Sequence, residues 1–145
     1  DHIDQHPNLK DDDDLLQSIP GIGPNTSALL LAELGNWRRF DNVRQVVAFF
    51  GFNPRHKQSG RKRQDVGISR TGRASLRAGL YMPAIVAKRF NPILKVFAQR
   101  LEDRGLSPKQ VVVAVMRKLL HLAYGILKSR RPFDPNFGTQ STFSA

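Results

Sequence analysis

The chain has 145 residues, no cysteine, and 23 Lys+Arg against 12 Asp+Glu, for a formal charge of +11. This length suits a single domain with its own core, and the lack of cysteine excludes disulfides, thiolate metal sites and a Cys nucleophile. The apolar runs Val111–Met116 and Ala28–Ala32 fall far short of the roughly 20 residues that cross a bilayer. No basic-then-apolar leader opens the chain, so a cytoplasmic protein without a membrane partner is expected. The first residue is Asp1 rather than Met, which reads as a piece of something longer.

The charge is divided unevenly. Residues 1–14 hold six acids and one base (−5), and the remainder holds 22 bases and six acids (+16). A body this basic points to a polyanion, with nucleic acid ahead of a membrane surface.

In chain order, residues 1–10 read as a polar linker or tail containing Pro7. The acidic run Asp11–Asp14 suits the first turn of a helix, where the dipole favours negative charge, and that helix must end near Pro20-Gly21. A second helix covers about Asn25 to Leu34 and is closed by Gly35. Asp41 is the expected N-cap of a short helix through Phe50, with Gly51 as its stop. Residues 52–70 show no clean period and read as a loop. A helix from about Thr71 toward Arg89 is expected to be interrupted by Pro83, because an interior proline removes a hydrogen bond and crowds the preceding turn. Asn91-Pro92 forms an N-cap and N1 pair, and Gly105 ends that helix. Ser107 to Gln110 is a capping box with Pro108 at N1. The helix behind it runs to about Lys128, with a core stripe of Val112, Val115, Met116, Leu119, Leu122, Ala123 and Ile126. Residues 131–145 read as an irregular tail. The fold class is all-α, with five or six helices and a basic central loop.

Two constellations carry chemistry. The first is residues 15–34, LLQSIPGIGPNTSALLLAEL, which resembles the helix–hairpin–helix motif. Gly21 and Gly23 allow a tight turn and close approach of the backbone to a ligand. The N–H groups from Gly23 through Asn25 to Thr26 then sit at a helix N-terminus, where phosphate binds. Such contacts hold a phosphate backbone without reading sequence. The blander reading is a helical corner that binds nothing.

The second is a basic segment of Arg55, Lys57, Arg61, Lys62, Arg63, Arg70, Arg73 and Arg77, opposed only by Asp65. Neutralising phosphates with so many bases gives salt-dependent binding. Ser59-Gly60 lies at its centre. A serine becomes a nucleophile only with a base and charge-stabilising groups around it. His56 is a conceivable base, but on residue chemistry alone Ser59 is an ordinary loop serine. Tyr81, one turn after Arg77, is an alternative nucleophile, although Leu80-Tyr81 reads better as packing at a helix interface. The stripe of the last long helix is open to a further reading as an oligomerisation face. His2, His6, His56 and His121 show no metal-ligand pattern.

The hairpin, the segment FFGFNPRHKQSGRKR and the segment GISRTGRASLRAGLYMPA, in that order, resemble the C-terminal transposase domain of the IS-one-ten group of insertion sequences over residues 10 to 128. The domain is accordingly placed at 11–130, with the hairpin at 15–34 and the basic serine loop at 52–70. Members of that group are prokaryotic, bridge-RNA-guided recombinases. The resemblance implies a DNA recombinase in which this domain supplies a serine that forms a phosphoserine with DNA. It also implies an N-terminal RuvC-like domain whose acidic tetrad holds a divalent metal, expected to be Mg, together with a guide RNA and a homo-oligomeric assembly. The family's Gly–x–x–Pro then Ser–Gly pattern falls on Gly51, Pro54, Ser59 and Gly60, which makes Ser59 the implied nucleophile and Ser69 the reserve. Its Gly–x–x–x–Leu–Arg element falls on Gly72, Leu76 and Arg77. Two departures stand out: Pro83 lies inside a helix the family continues, and the tetrad is missing. Asp11–Asp14 does not replace it, because adjacent acids on one turn point apart and build no metal cage. The isolated chain is therefore expected to bind nucleic acid and do little chemistry. The alternative is a helix–hairpin–helix binding module without catalysis.

Overall fold

Capping residues and prolines set where each helix begins in a computed structural model that describes residues 7–52 and 76–137. The elements are α1 (Pro7–Gln17), α2 (Pro24–Leu34), a 3-10 turn (Trp37–Arg39), α3 (Val43–Phe49), α4 (helical over 76–90), α5 (Pro92–Asp103), α6 (Pro108–Ser129) and the single turn α7 (Pro135–Phe137). Among the described residues there is no strand, and the fold is all-α as expected.

Several caps follow the sequence signals. Asn91 Oδ1 accepts from the backbone N–H groups of Ile93 and Leu94 at the head of α5. The Ser107 hydroxyl accepts from Gln110 N while Gln110 Oε1 accepts from Ser107 N, so both halves of the capping box are formed. Gly35 and Gly105 have positive φ, where an L side chain would be strained.

Other expectations are corrected. α1 begins at Pro7, so residues 7–10 belong to a helix and not to a tail. A proline at the first helical position loses no hydrogen bond. Asn42 rather than Asp41 caps α3, accepting from Gln45 N at 3.1 Å, while Asp41 N donates to Gln45 Oε1 at 2.7 Å. α4 continues through Pro83 without interruption. Leu76, Leu80, Ala84 and Ala87 form one buried stripe there, and this tertiary burial offsets the local cost of the proline. The segment after α6 is tied down in part, since Phe133 N donates to the Ser18 hydroxyl and the Phe133 ring packs against the core.

α6 is the axis of the core. α1, α3 and α5 all pack on it, and α1 also packs on α2. Besides the expected stripe, Val111, Leu120, Tyr124 and Leu127 are buried, so α6 is covered on most sides. By length and composition alone α6 could cross a membrane, but here most of its apolar stretch lies inside the protein.

The acidic run does not work through the helix dipole, because it sits in the body of α1. Asp12 is only 3% exposed. Its carboxylate accepts from Trp37 Nε1 at 3.0 Å and from Arg130 Nη1 at 2.7 Å. Asp13 accepts from the Ser27 hydroxyl and from Gln17 Nε2, and Asp14 pairs with Lys10 in solvent. The Trp37 ring meets Tyr124 edge-on, and the Tyr124 hydroxyl donates to Phe40 O at 2.8 Å. This network joins α1, the 3-10 turn and the end of α6.

Replacing Asp12 with Ala leaves a buried indole N–H without its acceptor and a half-buried guanidinium without its counter-ion. We expect Asp12→Ala to lower unfolding free energy by about 2–3 kcal/mol in urea titrations. Asp14→Ala, at the exposed Lys10 pair, is expected to change it by less than about 0.5 kcal/mol.

Candidate nucleic-acid interface

The turn between α1 and α2 is built by residues from three helices. Ile22 N donates to Ile19 O, and Gly21 takes φ +109°. Ile22 is buried. Asn91, fully buried, caps α5 with its oxygen and donates from Nδ2 to Pro20 O at 3.1 Å.

The two glycines have different jobs. A Cβ on Gly21 would lie 2.7 Å from the Ala87 Cβ and 3.2 Å from Pro83 O. The close approach at Gly21 is therefore to α4 rather than to a ligand. A Cβ on Gly23 would meet nothing within 4 Å, and Gly23 is extended at the N-cap of α2. No side chain caps that end of α2. Asn25 is exposed and Thr26 half-buried beside it. Gly79 of α4 is the reciprocal contact, since a Cβ there would collide with the Leu29 side chain of α2.

Of the basic segment, Arg77 alone lies among the described residues. Arg55, Lys57, Arg61, Lys62, Arg63, Arg70 and Arg73 lie outside them, as do Ser59, Ser69 and His56. Arg77 lines a cavity of about 680 Å³ between the start of α4 and one face of α6. Gly51 and Phe52 also line it. Lys109 and Arg117 stand on its α6 wall with Val112, Val113 and Met116, and among the described residues no carboxylate lines it. Arg117 Nε donates to Phe52 O at 3.2 Å, and burial pulls the guanidinium below its usual pKa. Sequence reasoning missed Lys109 and Arg117. For Arg117 the available signal was a cation between two apolar stretches of α6, whereas nothing in the sequence singled out Lys109. Tyr81 is 50% exposed on the same cavity, so it does not pack at a helix interface as expected, whereas Leu80 does.

Several other bases are engaged within the protein. Arg39 donates to Leu34 O and lies over the Phe40 and Phe49 rings. Arg38 lies over Trp37, and Lys88 pairs with Glu102 at 2.8 Å. Among the described residues no group of three His, Asp or Glu could hold a metal ion. Three of the acids 11–14 diverge: Asp12 turns inward, Asp13 toward Ser27, and Asp14 toward Lys10.

A family model described as "Transposase IS116/IS110/IS902 family" matches residues 13–99. The chain belongs to this transposase family. The matched span contains both the α1–α2 turn and the whole basic segment. Among curated relatives, the chain is 38% identical over 133 residues to the pilin gene-inverting protein of Moraxella bovis, covering 88% of this chain and 40% of that protein. It is 39% identical over 111 residues to the putative transposase y4rJ of Sinorhizobium fredii, covering 73% of this chain and 28% of the relative. It is 42% identical over 62 residues to the transposase for insertion sequence element IS1111A of Coxiella burnetii, covering 43% and 17%. The transposase-family chain thus spans two fifths or less of the length of these relatives.

A second cavity, about 500 Å³, lies between the end of α6 and residues 131–135, with His121 on its wall. Burial first, then Lys118 and Arg117, lower the His121 pKa from 6.5 to about 4.

Gly21→Ala combines a strained φ with a steric clash and is expected to cost about 1–3 kcal/mol of stability. Gly23→Ala should melt like the parent, and any loss it shows should be in nucleic-acid affinity, which thermal melts and binding titrations separate. For His121, the unfolded chain takes up a proton near pH 6.5 and the native chain only near 4. Between those values the unfolded state binds more protons, so stability falls as pH falls. His121→Gln should flatten the pH dependence across that window in denaturant titrations.

Proposed function

We propose that this chain is the DNA-handling, serine-bearing part of a transposase that cuts and rejoins DNA. The observation that carries the reading is the family match across residues 13–99, which takes in the turn, the basic segment and Ser59 together. Some of the relatives are named for inverting a pilin gene and others for transposing insertion sequences, and both names describe rearranged DNA. The charge of +16 over residues 15–145, the open backbone at Gly23 and the three cations Arg77, Lys109 and Arg117 on one cavity support a phosphate backbone as ligand.

In this proposal the phosphate backbone is held at Gly23, Asn25 and Thr26, while Arg55, Lys57, Arg61, Lys62, Arg63, Arg70, Arg73 and Arg77 grip the strand around the reacting phosphate. Gly21 shapes the turn from behind. The Ser59 Oγ gives its proton to a base and bonds to phosphorus. The P–O bond to one strand end breaks, and that end leaves as a hydroxyl, with a phosphoserine ester left on the protein. Arginine forks stabilise the charge that develops on the phosphate oxygens. A RuvC-like domain elsewhere in the full-length protein would contribute a divalent metal, a guide RNA would select the DNA, and the active assembly would be a homo-oligomer.

The test is a covalent protein–DNA adduct formed by the full-length protein with its DNA and guide RNA. Ser59→Ala should abolish the adduct while leaving DNA affinity unchanged, and Ser69→Ala should retain it. An undiminished adduct in Ser59→Ala removes Ser59 as nucleophile. Adduct-free binding by the unaltered protein would instead make the chain a non-catalytic helix–hairpin–helix binding module.

A further inference from the structure

The cavity between α4 and α6 has a composition that neither a core void nor a simple phosphate groove requires. Its volume, about 680 Å³, lies in the range of ligand sites. Its lining is apolar at Phe52 and Met116, and its charged groups among the described residues are three cations: Arg77, Lys109 and Arg117. Tyr81 contributes a half-exposed ring, one helical turn beyond Arg77 on α4. Arg117 spends Nε on Phe52 O, which leaves its Nη groups without a partner among the described residues.

An apolar surface with a half-exposed aromatic ring beside cations matches the two halves of a nucleotide. A base has a π-face that stacks on tyrosine whatever its sequence, and the adjoining phosphate is met by lysine and arginine. A base still paired and stacked in a duplex cannot reach such a ring, so the complementary ligand is a strand whose bases are free. We propose that this cavity receives one unstacked nucleotide of a single-stranded nucleic acid, its base on Tyr81 and its phosphate among Arg77, Lys109 and Arg117. The inference rests on the nucleic-acid reading above and deepens it: one groove of the domain handles opened strands, whereas the Gly23 end of α2 contacts backbone alone.

The test uses the 145-residue chain with oligonucleotides carrying 5-iodouracil, which photocrosslinks to stacked aromatic rings. Three probes of matched sequence are compared: single-stranded DNA, single-stranded RNA and duplex DNA. The crosslink is expected on the peptide containing Tyr81 with a single strand, and the DNA and RNA arms show which strand supplies the base. Tyr81→Leu should weaken single-strand binding about tenfold and Tyr81→Phe, which keeps the ring, should not. Lys109→Gln should reduce the salt slope by about one phosphate contact. Duplex affinity should be indifferent to both Tyr81 variants. Tyr81 is half exposed, so these variants leave the core intact, and thermal melts confirm it. Single-strand binding that ignores Tyr81→Leu, or crosslinks mapping away from the cavity, overturns this inference and leaves the DNA-handling reading standing. Failure of all three probes to bind removes both.

Discussion

A carboxylate taken out of water costs several kcal/mol unless both its charge and its lone pairs are met, and Asp12 has both met. Trp37 Nε1 and Arg130 Nη1 reach it from the 3-10 turn and from the C-terminal end of α6. The contact fixes the Trp37 ring, which stands edge-on to Tyr124, and Tyr124 reaches back to Phe40 O. Through this chain of contacts α1 is set against α6, and the Ser27 hydroxyl, donating to the neighbouring Asp13, ties α2 to α1.

The α1–α2 turn is then braced from the other side. Asn91 is buried because its oxygen is needed at the start of α5 and its amide at Pro20 O. Gly21 lets α4 come within contact of the turn backbone, and Gly79 lets Leu29 sit against α4. One glycine of the pair is thus consumed by the fold and the other stays open. α4 in turn carries Arg77 and Tyr81 to the cavity facing α6. α4 therefore touches both the α1–α2 turn and the cavity facing α6.

What could be read from the sequence was mostly local. Asn91 with Pro92 and Ser107 with Gln110 announce their helices because a cap satisfies N–H groups within three residues of itself. The α6 stripe shows because its period is helical. The role of Asp12 was hidden: its partners lie 25 and 118 residues away, and beside three other aspartates it looks like a solvated charge. The continuity of α4 through Pro83 was hidden for the same reason, since a buried stripe overrode a local cost. Gly21 and Gly23 are identical letters whose surroundings differ only in three dimensions. Lys109, Arg117 and Tyr81 converge across two helices, and no spacing in one chain segment reports that. The family was legible from three motifs in order. The surroundings of Ser59 lie outside the described residues.

The pairing of Asp12 with Arg130 also has a consequence in time. Its partners are separated by nearly the whole described chain, so the ion pair cannot form on a growing polypeptide until α6 has been synthesised to its end. Until then, docking α1 would bury a carboxylate with one of its two donors absent. The first and last helices of the core are thus expected to close together, late, and as one cooperative event, with a ribosome-bound chain lacking Arg130 kept from premature completion by a single aspartate.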